Sequence, residues 1–200
     1  MAKPFAIAAV GKAILSLLMA ACPRDANGFP NAAFQLFQAA NFSDPNIMKE
    51  GVALYLYRLT PANNVRNQPP RTAPDGRRFR PSLPIDLHYL LVPYGVDAFK
   101  QQRILGWAIR TLEDTPVLPS GLVNQVGPEG DLFGPNEAID IIMETLSIQD
   151  LGSVWEVAKP SIQPAVAYVV RMLAVDSDLE IREHELVQTR VFGAGKVVES

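Results

Sequence analysis

This sequence has few cysteines and histidines and no glycine-rich phosphate-binding loop. These features supply many catalytic, metal and phosphate sites. Cys22 is the only cysteine, so no disulfide can form within the chain, and the two histidines, His88 and His184, are far apart. Structural metal sites need clustered Cys or His ligands, and a phosphate-binding loop needs glycines between a strand and a helix. The sequence therefore predicts no metal, no cofactor and no catalytic residue.

A large excess of charge is also lacking. Eighteen basic residues stand against 21 acidic residues, which gives a net charge of −3. A protein that binds nucleic acid along its surface needs a broad basic face, so nucleic acid is not expected as a partner. The 200 residues suit one domain, and we place a single α/β domain at residues 1–178 and a C-terminal arm at residues 179–200.

The first apolar run, residues 5–21, has two interpretations. It resembles a secretory signal, and LMAAC at residues 18–22 resembles a lipoprotein cleavage site, which would leave a surface protein lipidated at Cys22. Lys12 interrupts the run, however, and a central lysine costs about 2.5–3.5 kcal/mol of membrane insertion. Because the apolar residues also recur at helical spacing, we predict an amphipathic helix at about residues 4–22 and no membrane association.

Alternating and continuous apolar patterns predict the remaining elements. Strands are expected at residues 52–59, 83–92, 138–146 and 164–175, and a weaker pattern at residues 33–42 favours a fifth strand. Helices are expected after the N-caps Asp97 and Ser147 and at residues 119–126. In the helix after Asp97, we expect a buried stripe of Leu105, Ala108, Ile109 and Leu112.

This order of elements predicts an α/β (α+β) fold. We expect a mixed, mostly antiparallel sheet of about four to five strands, flanked by helices. The C-terminal arm begins with charged residues and then becomes strand-like at residues 186–192. Such a segment can add a strand to the sheet edge of a neighbour, so we expect a partner-binding role for Leu186, Val187, Val191 and Phe192.

The segment between the first two clear strands, residues 61–84, is unusually long and basic. It contains six prolines and one acid, Asp75, together with Arg66, Arg71, Arg77, Arg78 and Arg80. Long connections without a hydrophobic pattern are usually functional or disordered, and arginine makes forked contacts with carboxylates. We interpret these arginines as a basic loop that binds an acidic protein surface; a solvated hairpin tip is the alternative.

One acid–base pair is conceivable. Asp86 and His88 are two residues apart and therefore lie on the same face of the predicted strand at residues 83–92. A hydrolase that uses this pair is a further alternative. No nucleophile motif accompanies the pair, which favours a hydrogen-bonded histidine without catalysis.

A series of short motifs gives the sequence a family resemblance. In chain order they are VALYLYRLT at 52–60, PDGRR at 74–78, LPIDLHYLL at 83–91, RILGW at 103–107, PVLP at 116–119, LSIQDL at 146–151 and PAVAY at 164–168. The series resembles the cap, or tail-terminator, proteins of extracellular contractile injection systems, which include the antifeeding-prophage and Photorhabdus virulence-cassette particles.

The resemblance implies a structural protein without enzymatic activity. Members of this family are expected to form a ring, with six copies, on the end of the inner tube and sheath, which stops polymerisation and fixes the particle length. The expected partners are therefore other copies of the chain and the tube and sheath proteins. The expected location is the bacterial cytoplasm during assembly and then the particle end. A tail-completion or head–tail joining protein of a true phage is the alternative.

Overall fold

The computed structural model describes most of the chain. The described residues are 2–25, 27–44, 46–62, 68–73, 75–126, 132–134, 137–158 and 163–181. The helices are α1 (Ala6–Ala21), α2 (Ala98–Glu113), α3 (Ser120–Val126) and α4 (Ile148–Ala158), with a 3₁₀ helix at Ala39–Ser43. The strands are β1 (Ala33–Phe37), β2 (Gly51–Pro61), β3 (Arg71–Thr72), β4 (Arg78–Phe79), β5 (Leu83–Tyr94), β6 (Val117–Pro119), β7 (Ala138–Glu144) and β8 (Val166–Val175).

Six strands form the main sheet, in the order β1-β2-β5-β8-β7-β6, while β3 and β4 form a separate hairpin. The β1–β2 pair is parallel and the other pairs are antiparallel, which confirms the predicted mixed, mostly antiparallel sheet. The predicted four to five strands were too few by one, because β6 has three residues and ends in Pro119. A strand this short shows no alternation that a sequence pattern can detect.

The two faces of the sheet have separate hydrophobic cores. On the first face, Ile85, Leu87, Tyr89 and Leu91 of β5 pack with buried residues of α1, α2 and α3. On the second face, Leu90 and Val92 of the same strand belong to a smaller cluster. Trp155 of α4 and Phe42 of the 3₁₀ helix close that cluster, with ring centroids 5.3 Å apart. Strand β5 is therefore central both in the sheet and between the layers.

Helix α1 lies in the first core rather than apart from the domain. Eight of its residues are buried, and at Gly11 an added Cβ would lie 2.9 Å from Cδ2 of Leu36, so this glycine lets the helix approach β1 closely. Cys22 follows the helix and is buried as well. Among the described residues, no helix combines the length and apolarity needed to cross a bilayer.

Both predicted N-caps are confirmed. Asp97 accepts a hydrogen bond from the backbone N–H of Lys100 at 2.7 Å, and Ser147 Oγ accepts one from Asp150 N–H at 3.0 Å. The predicted stripe of α2 was partly wrong. The buried residues are Ile104, Ala108 and Leu112, whereas Leu105 and Ile109 are half-buried, because the buried face is turned about the helix axis toward Ile104.

Gly51 provides a stability test of the β1–β2 junction. Its φ angle is +141°, and an added Cβ would lie 1.9 Å from the carbonyl oxygen of Ala33. We expect Gly51→Ala to lower the free energy of unfolding by at least about 2 kcal/mol, because both backbone strain and a backbone clash oppose the side chain. Urea unfolding measures this loss.

The matched control is Gly106→Ala, in the exposed surface of α2, where an added Cβ meets nothing within 4 Å. This variant should gain up to about 1 kcal/mol from helix propensity. Equal unfolding midpoints for the two variants would contradict the assigned role of Gly51.

Candidate interaction surfaces

Part of the basic loop forms an ordered hairpin. Arg71 pairs with Phe79 and Thr72 with Arg78. The turn passes through Gly76, whose φ angle of +85° favours glycine. Arg66 lies outside the described residues. The loop therefore contains a short β-ribbon with an arginine at or beside each strand; the sequence analysis named a hairpin here only as the alternative.

Two of the arginines hold the hairpin together. The guanidinium groups of Arg71 and Arg77 lie over the Phe79 ring, at 4.5 Å and 5.6 Å from its centroid. Arg71 Nε also lies 3.4 Å from Oδ2 of Asp176, whose Oδ1 accepts a hydrogen bond from Ser82 Oγ at 2.6 Å. These contacts tie the hairpin to the end of β8 through Arg71.

Arg77 is bound to the turn itself. Its Nε donates to Oδ2 of Asp75 at 2.7 Å, and its backbone N–H donates to Oδ1 at 3.1 Å. These hydrogen bonds lower the pKa of Asp75 and raise the pKa of Arg77, so both groups stay charged around neutral pH. Arg78 and Arg80 are the other described arginines of the loop, and both are exposed.

The beginning of the C-terminal arm pairs with this hairpin. Arg80 N–H donates to the carbonyl of Leu179 at 2.9 Å, and Ile181 N–H donates to the carbonyl of Arg78 at 2.7 Å. The sequence analysis treated the loop and the arm as separate surfaces, whereas the structure places residues 78–80 of the loop beside residues 179–181 of the arm. The predicted arm contacts, at Leu186, Val187, Val191 and Phe192, lie outside the described residues.

His88 belongs to a polar network on the second face of the sheet. Its Nδ1 lies 2.8 Å from Glu144 Oε2, and its Nε2 lies 2.9 Å from Thr60 Oγ1. Tyr57 donates its hydroxyl hydrogen to the same Glu144 oxygen at 3.4 Å. Sequence reasoning did not find this carboxylate, because Glu144 is on β7, and β8 lies between β7 and the strand of His88.

Asp86 has a separate role at a β-bulge. Between the pairs Ile85–Leu173 and Leu87–Val170, two residues of β8 oppose the single residue Asp86. One of them, Met172, has a φ angle of 56°, and its N–H donates to Asp86 Oδ1 at 2.8 Å. The structure therefore does not pair Asp86 with His88, and the hydrolase alternative loses its expected geometry.

A shallow groove of about 340 Å³ runs beside this bulge. Arg58 and Arg171 line it together with Asp86 and Thr60, so it presents charges of both signs. Among the described residues, no cluster of three or more His, Cys, Asp or Glu side chains is suited to hold a metal ion.

Comparison with known proteins assigns the chain to a family. The sequence matches the model of the Pvc16 N-terminal domain over residues 9–189, which is nearly the whole chain. This chain belongs to the Pvc16 N-terminal domain family. No curated protein matches the sequence at a significant level.

Two solved structures have folds similar to that of this chain. One is the sheath/tube terminator, in its extended state, of the extracellular contractile injection system PVC; it has 15% identity and a TM-score of 0.56 and covers 97% of this chain. The other is the tube-terminating cap of the anti-feeding prophage, with 13% identity, a TM-score of 0.52 and 91% coverage. This chain spans 63% and 60% of the lengths of those proteins.

The Glu144 network gives a test by pH. Burial, together with the charge and hydrogen bond of Glu144, raises the pKa of Tyr57 to about 12. The neutral phenol therefore stabilises the fold fully below the ordinary tyrosine pKa of about 10, and this contribution is lost as the pH rises from about 10 to about 12.

We expect Glu144→Gln to lower the pKa of Tyr57 without returning it to the ordinary value, since burial remains. The measurement is a titration of phenolate absorbance, with Tyr57→Phe identifying the signal of this residue. An unchanged Tyr57 titration in Glu144→Gln would contradict the proposed coupling.

Proposed function

We propose that this protein is a structural cap that binds the end of the inner tube and sheath of a contractile injection particle. Membership of the Pvc16 N-terminal domain family over residues 9–189 carries the proposal. The fold shared with the PVC sheath/tube terminator over 97% of the chain supports it. The protein ends polymerisation and so sets the particle length.

A closed ring explains how such a cap acts without chemistry. A heterologous interface either continues as a filament or closes on itself, and six copies that close into a ring offer no new end for growth. The polar groups that suggested catalysis have structural partners: His88 binds Glu144 and Thr60, and Asp86 binds the backbone of Met172. These contacts support a protein that is not an enzyme.

The basic hairpin is the surface proposed to dock on tube or sheath proteins. Arg71 and Arg77 stiffen it through Phe79, Asp176 and Asp75, so little conformational entropy is lost on binding. Arg78 and Arg80 are exposed on the hairpin, and Arg66 lies in the same segment. Their expected partner is an acidic protein surface, because guanidinium groups bind carboxylates in forked geometry.

The remaining features agree with assembly inside the bacterial cytoplasm, followed by residence at the particle end. The lipoprotein alternative requires removal of the chain before Cys22, yet eight α1 residues are buried in the core. Cleavage there would expose the first face of the sheet. No membrane or nucleic-acid partner is needed for the proposed role.

A tube-growth assay tests capping directly. Purified tube protein is polymerised with and without this chain, and tube lengths are measured by negative-stain electron microscopy. We expect shorter tubes that bear a ring at one end, at substoichiometric amounts of the chain, because each ring blocks one growing end. Tubes of unchanged length and with bare ends would overturn the proposal.

Charge reversal tests the hairpin. Arg78→Glu with Arg80→Glu should weaken binding to tube or sheath ends by at least about tenfold, since two attractive contacts become repulsive. The control Lys49→Glu with Arg110→Glu changes the net charge equally at exposed sites outside the hairpin. Equal losses in both variants would indicate a general charge effect and would remove the hairpin from the interface.

A further inference from the structure

Strand β1 leaves an open edge on the main sheet. Ala33 donates its backbone N–H to the carbonyl of Glu50 at 2.9 Å, on the β2 side. Backbone groups alternate in direction along a strand, so those of Phe34 and Leu36 point away from β2. Within the described part of the chain, no strand pairs with this outer edge.

The sequence of β1 carries none of the usual protection of an edge strand. Charged residues and proline commonly block such edges, and β1 reads AFQLF. The strand at the opposite end of the sheet, β6, is three residues long and ends in Pro119. The β1 edge is therefore the longer edge and the one open to pairing.

Apolar recesses lie on both sides of Leu36, between β1 and α1. One of about 470 Å³ is lined by residues that include Leu15, Met19 and Phe34, and one of about 370 Å³ by residues that include Phe5 and Leu56. Phe5, Met19 and Leu36 are 60%, 53% and 41% exposed. Among the described lining residues, Lys12 is the one charge.

From Phe5 to Met19 this apolar strip extends about 21 Å along the helix. That length matches a strand of six or seven residues. An occupant therefore needs a run of that length with β-forming, apolar side chains on one face.

One segment of this chain has that pattern. Residues 186–192 read LVQTRVF, in which Val187, Thr189 and Val191 are β-branched and alternate with Gln188 and Arg190. This segment belongs to residues 182–200. Every other stretch outside the described residues has five residues or fewer, which is too short for such a strand. Placing the β-branched face toward α1 turns the single charge, Arg190, away from the recesses.

The chain geometry indicates that the segment comes from another copy. The ribbon of β5 and β8 continues past Leu83 and Val175 as far as the bridge between Phe79 and Glu180. Strand β1 pairs with residues 51–55 of β2, and Pro61, at the other end of β2, pairs with Ile85. Tyr55 and Pro61 face Leu90 and Ile85, five residues apart in β5, so they are separated by about 17 Å along the sheet.

Glu180 and Ile181 lie farther along this ribbon, beyond the end of β2 that β1 does not reach. The five residues from Ile181 to Leu186 span at most about 18 Å, which favours β1 of a neighbouring copy over β1 of the same chain.

We propose that residues 186–192 of one copy add a strand to the outer edge of β1 in a second copy, with Val187, Thr189 and Val191 against α1. Backbone hydrogen bonds to Phe34 and Leu36 supply the grip, and the apolar recesses set the register. This contact rests on the proposed function, because ring closure is what requires each copy to hold the next.

Inter-chain cross-linking of the full chain tests the contact. One protein carries Leu36→Cys, and the others carry Val187→Cys, Thr189→Cys or Val191→Cys, which sample the possible registers. Mixing the two kinds under mild oxidation should give a disulfide-linked pair of chains for at least one position. A double variant, Leu36→Cys with Thr189→Cys, serves as the comparison. A disulfide that forms only within the chain of this double variant, or no link at any position in the mixtures, overturns the proposal. Each protein alone measures the background from buried Cys22.

Mass photometry provides the second measurement. Leu36→Glu, and separately Val187→Glu with Val191→Glu, should raise the dissociation constant of self-association at least about tenfold. The matched controls are Gln35→Glu and Gln188→Glu, which place the same charge on the opposite strand face. Near-UV circular dichroism checks that each variant is folded. The contact is contradicted if Leu36→Glu has the wild-type dissociation constant of self-association, or if the wild-type protein is monomeric.

The outcome is separable from that of the tube-growth assay. If the copies cross-link but the tubes are not shortened, the proposed capping function is wrong and the proposed contact between copies stands. If the tubes are shortened but Leu36→Glu self-associates as the wild type does, the proposed contact between copies is wrong and the capping function stands.

Discussion

The antiparallel ladder of β2, β5 and β8 is the constraint on which the rest of the structure depends. Strand β5 pairs with β2 from Gly51 to Pro61 and with β8 from Val166 to Val175, so it is bonded along both edges. Its side chains then alternate between two cores, Leu87 and Leu91 on one face and Leu90 and Val92 on the other. A shift of one residue in its register would exchange these faces, so the packing of α1, α2 and α4 depends on this register.

Two bulges separate an apolar part of the second face of this ladder from a polar part. The register shifts at Tyr57 in β2 and opposite Asp86 in β8. On one side of these bulges, Leu90 and Ala167 are covered by Trp155 and Phe42. On the other side, polar and charged side chains replace the apolar ones. The bulge in β8 takes the N–H of Met172 out of the ladder. Asp86 Oδ1 accepts the hydrogen bond of this N–H, which explains why this acid stands inside a strand.

The parts of the fold that follow from local patterns could be predicted from the sequence. The alternation in β5 and the caps at Asp97 and Ser147 act over a few residues, and each is visible in a short window. The partner of His88 is not local: Glu144 reaches it across β8 above a position occupied by Ala167. The rotation of α2 toward Ile104 likewise depends on how the helix meets a curved sheet, which no periodicity of its own can fix.

The family resemblance depended on many short motifs, and the structure explains why they carry no chemical signature. The LPIDLHYLL motif lies in the central strand and VALYLYRLT in its neighbour, so these residues form the ladder and its bulges. PDGRR is the turn of the basic hairpin, in which Asp75 and Arg77 bind each other.

Arginines that bind within the hairpin are not lost to recognition. Fixing Arg71 and Arg77 over Phe79 removes rotational freedom before any partner arrives, which lowers the entropy that docking must overcome. A loop without these contacts would become ordered only on binding. The contacts of Arg71 and Arg77 therefore give the proposed docking hairpin a defined shape in advance, and the sequence, which shows only the number of arginines, cannot reveal those contacts.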